Sequence, residues 1–435
     1  MNVVFFALIL IAFSVAAWRQ WQWSGSGDTA APMQVLTEGI IESAKSSVSL
    51  ALGLVGVMAL FLGLMKVAES GGLLNMIARL LRPVMTRLFP DVPADHPAMG
   101  SMIMNMSANV MGLGNAATPF GIRAMQQLET LNPHPGTASN AMVLFLAINT
   151  SSVTLLPTGV IALRASAGSA DPAGIVPTTL FATLCSTAVA IIVAKSLQRF
   201  FRADPTRMVD LEQSAEEARV DDAELPLAEE SGAYPDWVCF TALAGLLALV
   251  PLAVIFGQVI GVWLVPVLVL GLLSFGVARR VRIYEVFVEG AKDGFQVAIK
   301  IIPYLVAILV AVGMLRHSGA MEAFVGLVGG VTAAIGLPGD ALPMALLRPL
   351  SGSGAYGVVA ATIQDPSIGP DSYVGYLVST LQGSTETTFY VLAVYFGAVQ
   401  VRRVRHALAT GVIADIAGVT GAIIACSYLY GHLVG

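Results

Sequence analysis

Hydrophobic positions along this chain come in long unbroken runs, and the polar positions gather in the gaps between them. Nine charge-poor runs are each long enough to cross a bilayer as a helix, at about 2–18, 46–68, 140–163, 177–198, 237–256, 260–278, 294–316, 372–399 and 407–431. Two further segments, about 98–130 and 341–365, are interrupted near their middles by Gly112-Leu-Gly114 and Gly352-Ser-Gly354. Each of these is expected to enter and leave on one side as a re-entrant helical hairpin. The pattern predicts an all-α polytopic membrane protein with about nine crossings.

Polar residues inside the runs cluster at four places that form two pairs. The first pair reads Met111-Gly-Leu-Gly-Asn-Ala-Ala-Thr-Pro119 and Asn149-Thr-Ser-Ser-Val-Thr-Leu-Leu-Pro157. The second reads Arg348-Pro-Leu-Ser-Gly-Ser-Gly-Ala-Tyr356 and Gln382-Gly-Ser-Thr-Glu-Thr-Thr388. Lipid cannot hydrogen-bond a broken helix, so such backbone persists at membrane depth only where it is packed in protein or lines a polar cavity. One hairpin and one broken transmembrane helix in each half point to the binding site of a transporter.

The two halves also share an order of elements. Glu42-Ser-Ala-Lys45 opens the span 46–68 and Glu289-Gly-Ala-Lys292 opens the span 294–316; each span is followed by an amphipathic helix, a hairpin, a broken span and an intact span. The first amphipathic helix carries Leu73, Ile77, Leu80, Val84 and Leu88 on one face and Arg79, Arg82 and Arg87 on the other, which suits the cytoplasmic interface. Its counterpart lies at about 320–336. Five crossings separate equivalent points, and an odd number inverts the second repeat relative to the first. An inverted repeat with discontinuous helices is the architecture of alternating access.

Charge tests the scheme. With the amino terminus inside and both hairpins re-entrant, 18 Lys and Arg residues fall inside and only Arg19, Lys45, Arg164, Arg316 and Arg348 outside, as the positive-inside rule requires. The expected location is therefore the bacterial cytoplasmic (inner) membrane, multi-pass, with a cytoplasmic amino terminus. The run Asn2 to Trp18 lacks a basic flank and reads better as a retained first span than as a signal peptide. Of 28 acids, 11 lie between Asp204 and Asp236. The domain division is thus a first repeat at 1–202, an acidic cytoplasmic linker at 203–236 and a second repeat at 237–435.

In the first repeat the candidate substrate-binding residues are Asn105, Asn109, Asn115 and Thr118 around the hairpin tip, with Asn149, Thr150, Ser151 and Ser152 at the break. Small polar residues also glue helices together, and two facing clusters beside glycine-rich breaks favour lining a cavity. In the second repeat they are Arg348, Ser351 and Ser353 in the hairpin, and Gln382, Ser384, Thr385, Glu386 and Thr387 at the break. An ionisable group at that depth is costly unless paired or wetted, so function is the default reading. Glu386 would couple protons or bind a substrate amine, and Arg348 would anchor a carboxylate or phosphate. The alternative is an ion pair that locks hairpin to broken span. Asp415, His317 and Asp340 read as structural or solvated.

No cofactor or metal is expected. Cys185, Cys239 and Cys426 have no paired spacing, and the run Met99, Met102, Met104, Met106 and Met111 reads as adaptable packing. The coupling ion would be H+ or Na+. Expected partners are a small-molecule substrate and the lipid bilayer, with a homo-oligomer left open and no nucleic acid. An intramembrane hydrolase lacks a Cys/His/Ser arrangement and a His-Glu-x-x-His motif.

At these residues the chain resembles a fusion of spore maturation proteins A and B, of the nucleoside recognition or Gate domain group. The A-like runs are His96-Pro-Ala-Met-Gly100, Gly112-Leu-Gly-Asn-Ala-Ala-Thr-Pro119 and Ala147-Ile-Asn-Thr-Ser-Ser-Val-Thr154; the B-like runs are Arg348-Pro-Leu-Ser-Gly-Ser-Gly354, Gln382-Gly-Ser-Thr-Glu-Thr-Thr-Phe-Tyr390 and Arg402-Arg-Val-Arg-His406. The resemblance implies a distant kinship to concentrative nucleoside transporters, in which equivalent hairpins and broken helices hold the substrate. It leaves open a transporter of an amino acid, short peptide or nucleoside, and an assembly protein of envelope or spore maturation without a transport cycle.

Overall fold

A computed structural model describes residues 2–25, 30–112, 114–201, 234–333 and 335–433. Most of the acidic linker, 202–233, lies outside the described residues, as does the side chain of Asn115. The described residues are helical, joined by turns and one isolated bridge between Thr137 and Arg403. In the first half they form α1 (Asn2–Gln22), α2 (Pro32–Ser70), α3 (Leu73–Leu88), α4 (Pro97–Val110), α5 (Gly114–Glu129), α6 (Asn140–Ser151), α7 (Thr158–Ser166) and α8 (Ile175–Leu197). The second half contains α9 (Asp236–Ala278), α10 (Ile283–Ser318), α11 (Ala320–Ala333), α12 (Leu342–Leu347), α13 (Gly352–Gln364), α14 (Tyr373–Ser384), α15 (Thr388–Ala398) and α16 (Ala407–Tyr430).

Each interruption read from the sequence ends a helix. α4 and α5 form one hairpin and α12 and α13 the other; the second turn begins at Arg348, just ahead of Gly352. The broken spans are the pairs α6/α7 and α14/α15. Both of their leading half-helices start on a serine. Ser139 Oγ accepts the Met142 N–H at 3.2 Å and Ser372 Oγ accepts the Gly375 N–H at 3.0 Å, which supplies partners for donors that a helix start leaves open. α3 is amphipathic as expected: Leu74, Ala78 and Met85 are buried while Arg87 is exposed.

One expectation is overturned. The runs 237–256 and 260–278 were expected to be two crossings, but they are one continuous helix, α9. Its 43 residues measure about 65 Å at 1.5 Å per residue, roughly twice the hydrocarbon thickness of a bilayer. The short step between the two runs holds a glycine, Gly257, but an isolated glycine costs a helix only about 1 kcal/mol and the apolar sequence continues on both sides. The nine-crossing scheme and the parity drawn from it therefore do not hold as stated. Four described helices are long and apolar enough to cross a membrane, within α1, α2, α8 and α16, the last of them extending to Leu433.

The orientation of the halves is visible in the packing itself. Gly39 of α2 lies against His317 of α10, Ala59 against Gly294, and Gly63 against Phe287, so these two long helices run antiparallel along most of their length. α8 and α16 are antiparallel too: Ala182 meets Gly421, and Ser186 Oγ donates to Ala414 O at 2.8 Å. Each pair joins one helix from residues 1–202 to one from 237–435.

The α2–α10 crossing depends on small residues. Gly290 and Gly294 are one turn apart and face Ala59 and Gly63, so the two backbones come together closely. A Cβ on Gly294 would lie 2.7 Å from Met58 O and from Ala59 Cα, and neither backbone atom can swing aside. Gly294→Leu is expected to destabilise the protein by about 1–3 kcal/mol, read as a lower thermal midpoint in detergent. Gly56→Ala, at a position with nothing within 4 Å, should leave the midpoint unchanged or raise it.

Candidate functional site

The two breaks and the two hairpin tips are joined by backbone. Leu155 N–H, in the α6–α7 break, donates to Val110 O at the tip of the first hairpin at 3.1 Å. Phe389 N–H, just after the α14–α15 break, donates to Pro349 O at the tip of the second, also at 3.1 Å. The breaks in turn meet each other, with Glu386 N–H donating to Thr150 O at 2.7 Å. Thr183 of α8 adds its hydroxyl to Ser151 O at 2.8 Å and to Ser152 O. Helix ends that lipid would leave unsatisfied are thus satisfied within the protein.

Around this backbone the first half places an asparagine network. Asn109 Nδ2 donates to Asn149 Oδ1 at 3.0 Å, and Asn149 Nδ2 donates back to Phe145 O. Asn105 Nδ2 bonds Ala117 O at 2.7 Å and the Tyr395 hydroxyl at 3.2 Å, and that hydroxyl reaches Asn149 Oδ1 at 3.3 Å. Asn105, Asn149, Thr150, Ser151 and Ser152 are all buried. Asn105 Oδ1 has no hydrogen-bond partner among the described residues.

The second half supplies charge. Arg348 is buried and donates through Nη1 to Thr387 Oγ1 at 3.1 Å and through Nη2 to Thr385 O. Its Nη2 lies 3.7 Å from Glu386 Oε2, and the Glu386 side chain is 45% exposed against 6% for Arg348. Arg348 Nε and Gln382 Oε1 have no hydrogen-bond partner among the described residues. Ser351 Oγ caps α13 by accepting the Gly354 N–H at 3.0 Å, and Ser384 Oγ bonds Leu381 O. Arg348 and Glu386 do pair, as one reading of the sequence expected, though loosely and with the carboxylate half in the open.

Not every candidate joins this cluster. Ser353 is exposed, and Thr118 is half-buried on the outgoing arm of the first hairpin. A cavity of about 460 Å³ lies elsewhere, beside the loop that follows that hairpin, and its lining includes Asp91, Asn132, His134, Gln198 and Arg405.

Several polar residues were not among the candidates. Tyr395 reads as one aromatic among apolar neighbours, yet its hydroxyl joins Asn105 to Asn149. Asp415 had been read as structural or solvated; it is buried, and its Oδ2 accepts from Thr388 Oγ1 at 2.7 Å. Arg164, counted only as an outside charge, is fully buried at the junction of the halves. It bonds Pro370 O at 2.6 Å, pairs with Asp371 at 3.0 Å and lies over the Tyr376 ring at 4.2 Å. Burial pushes the nearby Asp171 carboxyl up from its ordinary range despite the pull of Arg164. A diagonal staple joins the halves at the other loop cluster, where Arg405 Nη1 donates to Ala138 O at 3.0 Å beside the Thr137–Arg403 bridge.

Long apolar helices with polar, mutually hydrogen-bonded breaks define a polytopic membrane protein. The family model for nucleoside recognition, Gate, matches residues 51–167 and 298–402, and the chain belongs to that family. It is 48% identical over 161 residues to spore maturation protein A of Bacillus subtilis (strain 168), a match covering 37% of this chain and 82% of that protein. It is 45% identical over 168 residues to spore maturation protein B of the same organism, covering 39% of this chain and 93% of that protein. Two solved structures of CNTnw, one outward-facing and one inward-facing with substrate bound, align over 99% of both chains. Their TM-scores of 0.39 and 0.37, at 12% and 13% identity, are too low to transfer geometry.

Thr183 offers a direct check on how the first break is held. Thr183→Val keeps the shape of the side chain but leaves the Ser151 and Ser152 carbonyls without their donor. The expected loss is about 1–3 kcal/mol, measured as a drop in thermal midpoint, and Thr183→Ser should recover most of it.

Proposed function

We propose that this chain is a secondary transporter of a small polar solute, working by alternating access through the site between the two hairpins and the two breaks. The observation that carries this reading is a convergence of four discontinuous elements from both halves on one polar cluster with unmatched buried groups. Among the described residues, Arg348 Nε is a donor without an acceptor, while Asn105 Oδ1 and Gln382 Oε1 are acceptors without a donor. Buried polar groups are rarely left so, and a solute carrying both donors and acceptors would match them. Antiparallel packing of α2 with α10 and of α8 with α16 supports two inverted repeats, 1–202 and 237–435, joined by the linker.

In this reading Asn105, Asn109, Asn149, Thr150, Ser151 and Ser152 contact the uncharged part of the solute. Arg348 and Glu386 take its charged groups, an arrangement suited to an amino acid or short peptide; the Gate membership adds nucleosides to the classes to be tried. Gln382, Ser384, Thr385 and Thr387 shape the wall, with Asn115 and Ser351 at the tips. The hairpins are re-entrant and the membrane is the bacterial cytoplasmic one. A second reading follows from the relatives' names: a membrane assembly protein of envelope or spore maturation without a transport cycle. Under it, variants of the polar cluster would lose partner binding and leave solute fluxes unchanged.

Glu386 separates function from mere locking. A half-exposed pair at 3.7 Å contributes about 0–1 kcal/mol to stability, well short of the several that a fully buried pair would lose on being broken. Glu386→Gln should therefore fold with a thermal midpoint close to the parent's while abolishing uptake of the solute, or its pH dependence. Purified protein screened by thermal shift against amino acids, peptides and nucleosides identifies the class, since a ligand stabilises the state it binds. Normal pH-dependent uptake by Glu386→Gln would reject its role.

A further inference from the structure

We propose that Asp415, in the first half of α16, is a proton-binding site, and that its proton decides which carboxylate Arg348 serves. Its functional sense rests on the transporter reading above; its chemistry does not. α16 runs from Ala407 to Tyr430 with Asp415 its sole charged residue. The residue is 95% buried, and among the described residues its carboxylate accepts one hydrogen bond, from Thr388 Oγ1. A hydroxyl can orient a carboxylate but cannot cancel its charge.

The α12–α13 hairpin brings Arg348, which bonds Thr385 O and Thr387 Oγ1 in the α14–α15 break, next in the chain to the Thr388 that donates to Asp415. The elements packed against α16 are α6, α8, α14 and α15; they carry Cys185 and Lys195 on α8, Tyr373 and Tyr376 on α14, and Tyr390 and Tyr395 on α15, with Glu386 in the α14–α15 break. Ser186 Oγ of α8 bonds Ala414 O, Thr388 and Thr385 lie against Gly411 and Gly418, and Cys185 lies farther along, against Gly421. Lys195 lies near the end of α8 and His406 caps the start of α16. Among the described residues at this site Arg348 is the one cation, and Glu386 already pairs with it. With all three ionised the node carries a net charge of −1, at a depth where an uncompensated charge is strongly disfavoured.

A proton added to Asp415 turns carboxylate into carboxylic acid and brings the node to zero, with Arg348 left to Glu386. When that proton leaves, Asp415 competes for the guanidinium, and the half-exposed Glu386 carboxylate becomes available to a cation. Proton on Asp415 and solute ammonium at Glu386 are then two ways of meeting one charge requirement. A protein built so would exchange one for the other.

Infrared titration of the purified protein reads this without any solute. The C=O stretch of a protonated carboxyl should be present at low pH and disappear reversibly as pH is raised. It should be lost in Asp415→Asn; in Glu386→Gln, where Arg348 is left to Asp415, it should still depend on Asp415 but disappear at a lower pH than in the parent. Should Asp415→Asn fail to fold, Asp415→Glu carries the test: [13C]glutamate labelling would then move the band, whereas in the parent [13C]aspartate labelling would. The absence of a titrating band, or one lost in Glu386→Gln and kept in Asp415→Asn, would overturn the assignment. So would thermal stabilisation by NaCl over KCl that vanishes in Asp415→Asn with no titrating band, because the cation would then be sodium. A chain that transports nothing but shows the band loses the transporter reading alone; one that transports without the band loses the proton site alone.

Discussion

A helix that stops inside a bilayer leaves carbonyl and N–H groups facing a medium with nothing to offer them, and the rest of this structure depends on how they are answered. α6 and α14 both stop this way. Their partners are protein backbone wherever two such ends can be brought together: Val110 O with Leu155, Pro349 O with Phe389 and Thr150 O with Glu386. Side chains supply the remainder, Thr183 at the first break and Arg348 at the second. Since each break needs an element from another part of the chain, hairpins and broken helices become one connected cluster.

Around that cluster the two halves are arranged as near counterparts with different chemistry. Both leading half-helices start on a serine cap, both tips accept from their own break, and each hairpin's outgoing loop is fastened to the other half. One fastening is an arginine on backbone beside a β-bridge, at Arg405 and Ala138; the other is a buried arginine paired with Asp371 and resting on Tyr376. The asymmetry is greatest at the centre. The first half brings amides and hydroxyls, the second brings charge.

Much of this was legible in residue order. Glycine and proline within apolar runs mark helix ends because lipid tolerates few other reasons for them, and Ser152 and Thr385 both fall where the helices stop. What was not legible had two causes. The runs 237–256 and 260–278 were read as two spans, but a helix tolerates the one glycine between them, and nothing local decides whether the chain reverses there. Tyr395, Arg164 and Asp415 are ordinary members of their own segments, and their partners lie far away in the chain, at Asn105, Asp371 and Thr388 in turn. Gly290 and Gly294 did carry a readable signal, the spacing of small residues that lets helices approach closely.

The fastenings between the halves bear on how such a protein could be divided. Arg164, from the first half, is fully buried against residues of the second, and the Thr150 carbonyl is met by Glu386. A half inserted by itself would carry a bare guanidinium and an open helix end into lipid. Two separate chains of this design would have to meet early in their lives, in equal numbers and in opposite orientations. Joining them in one polypeptide turns that encounter between molecules into the closing of a loop.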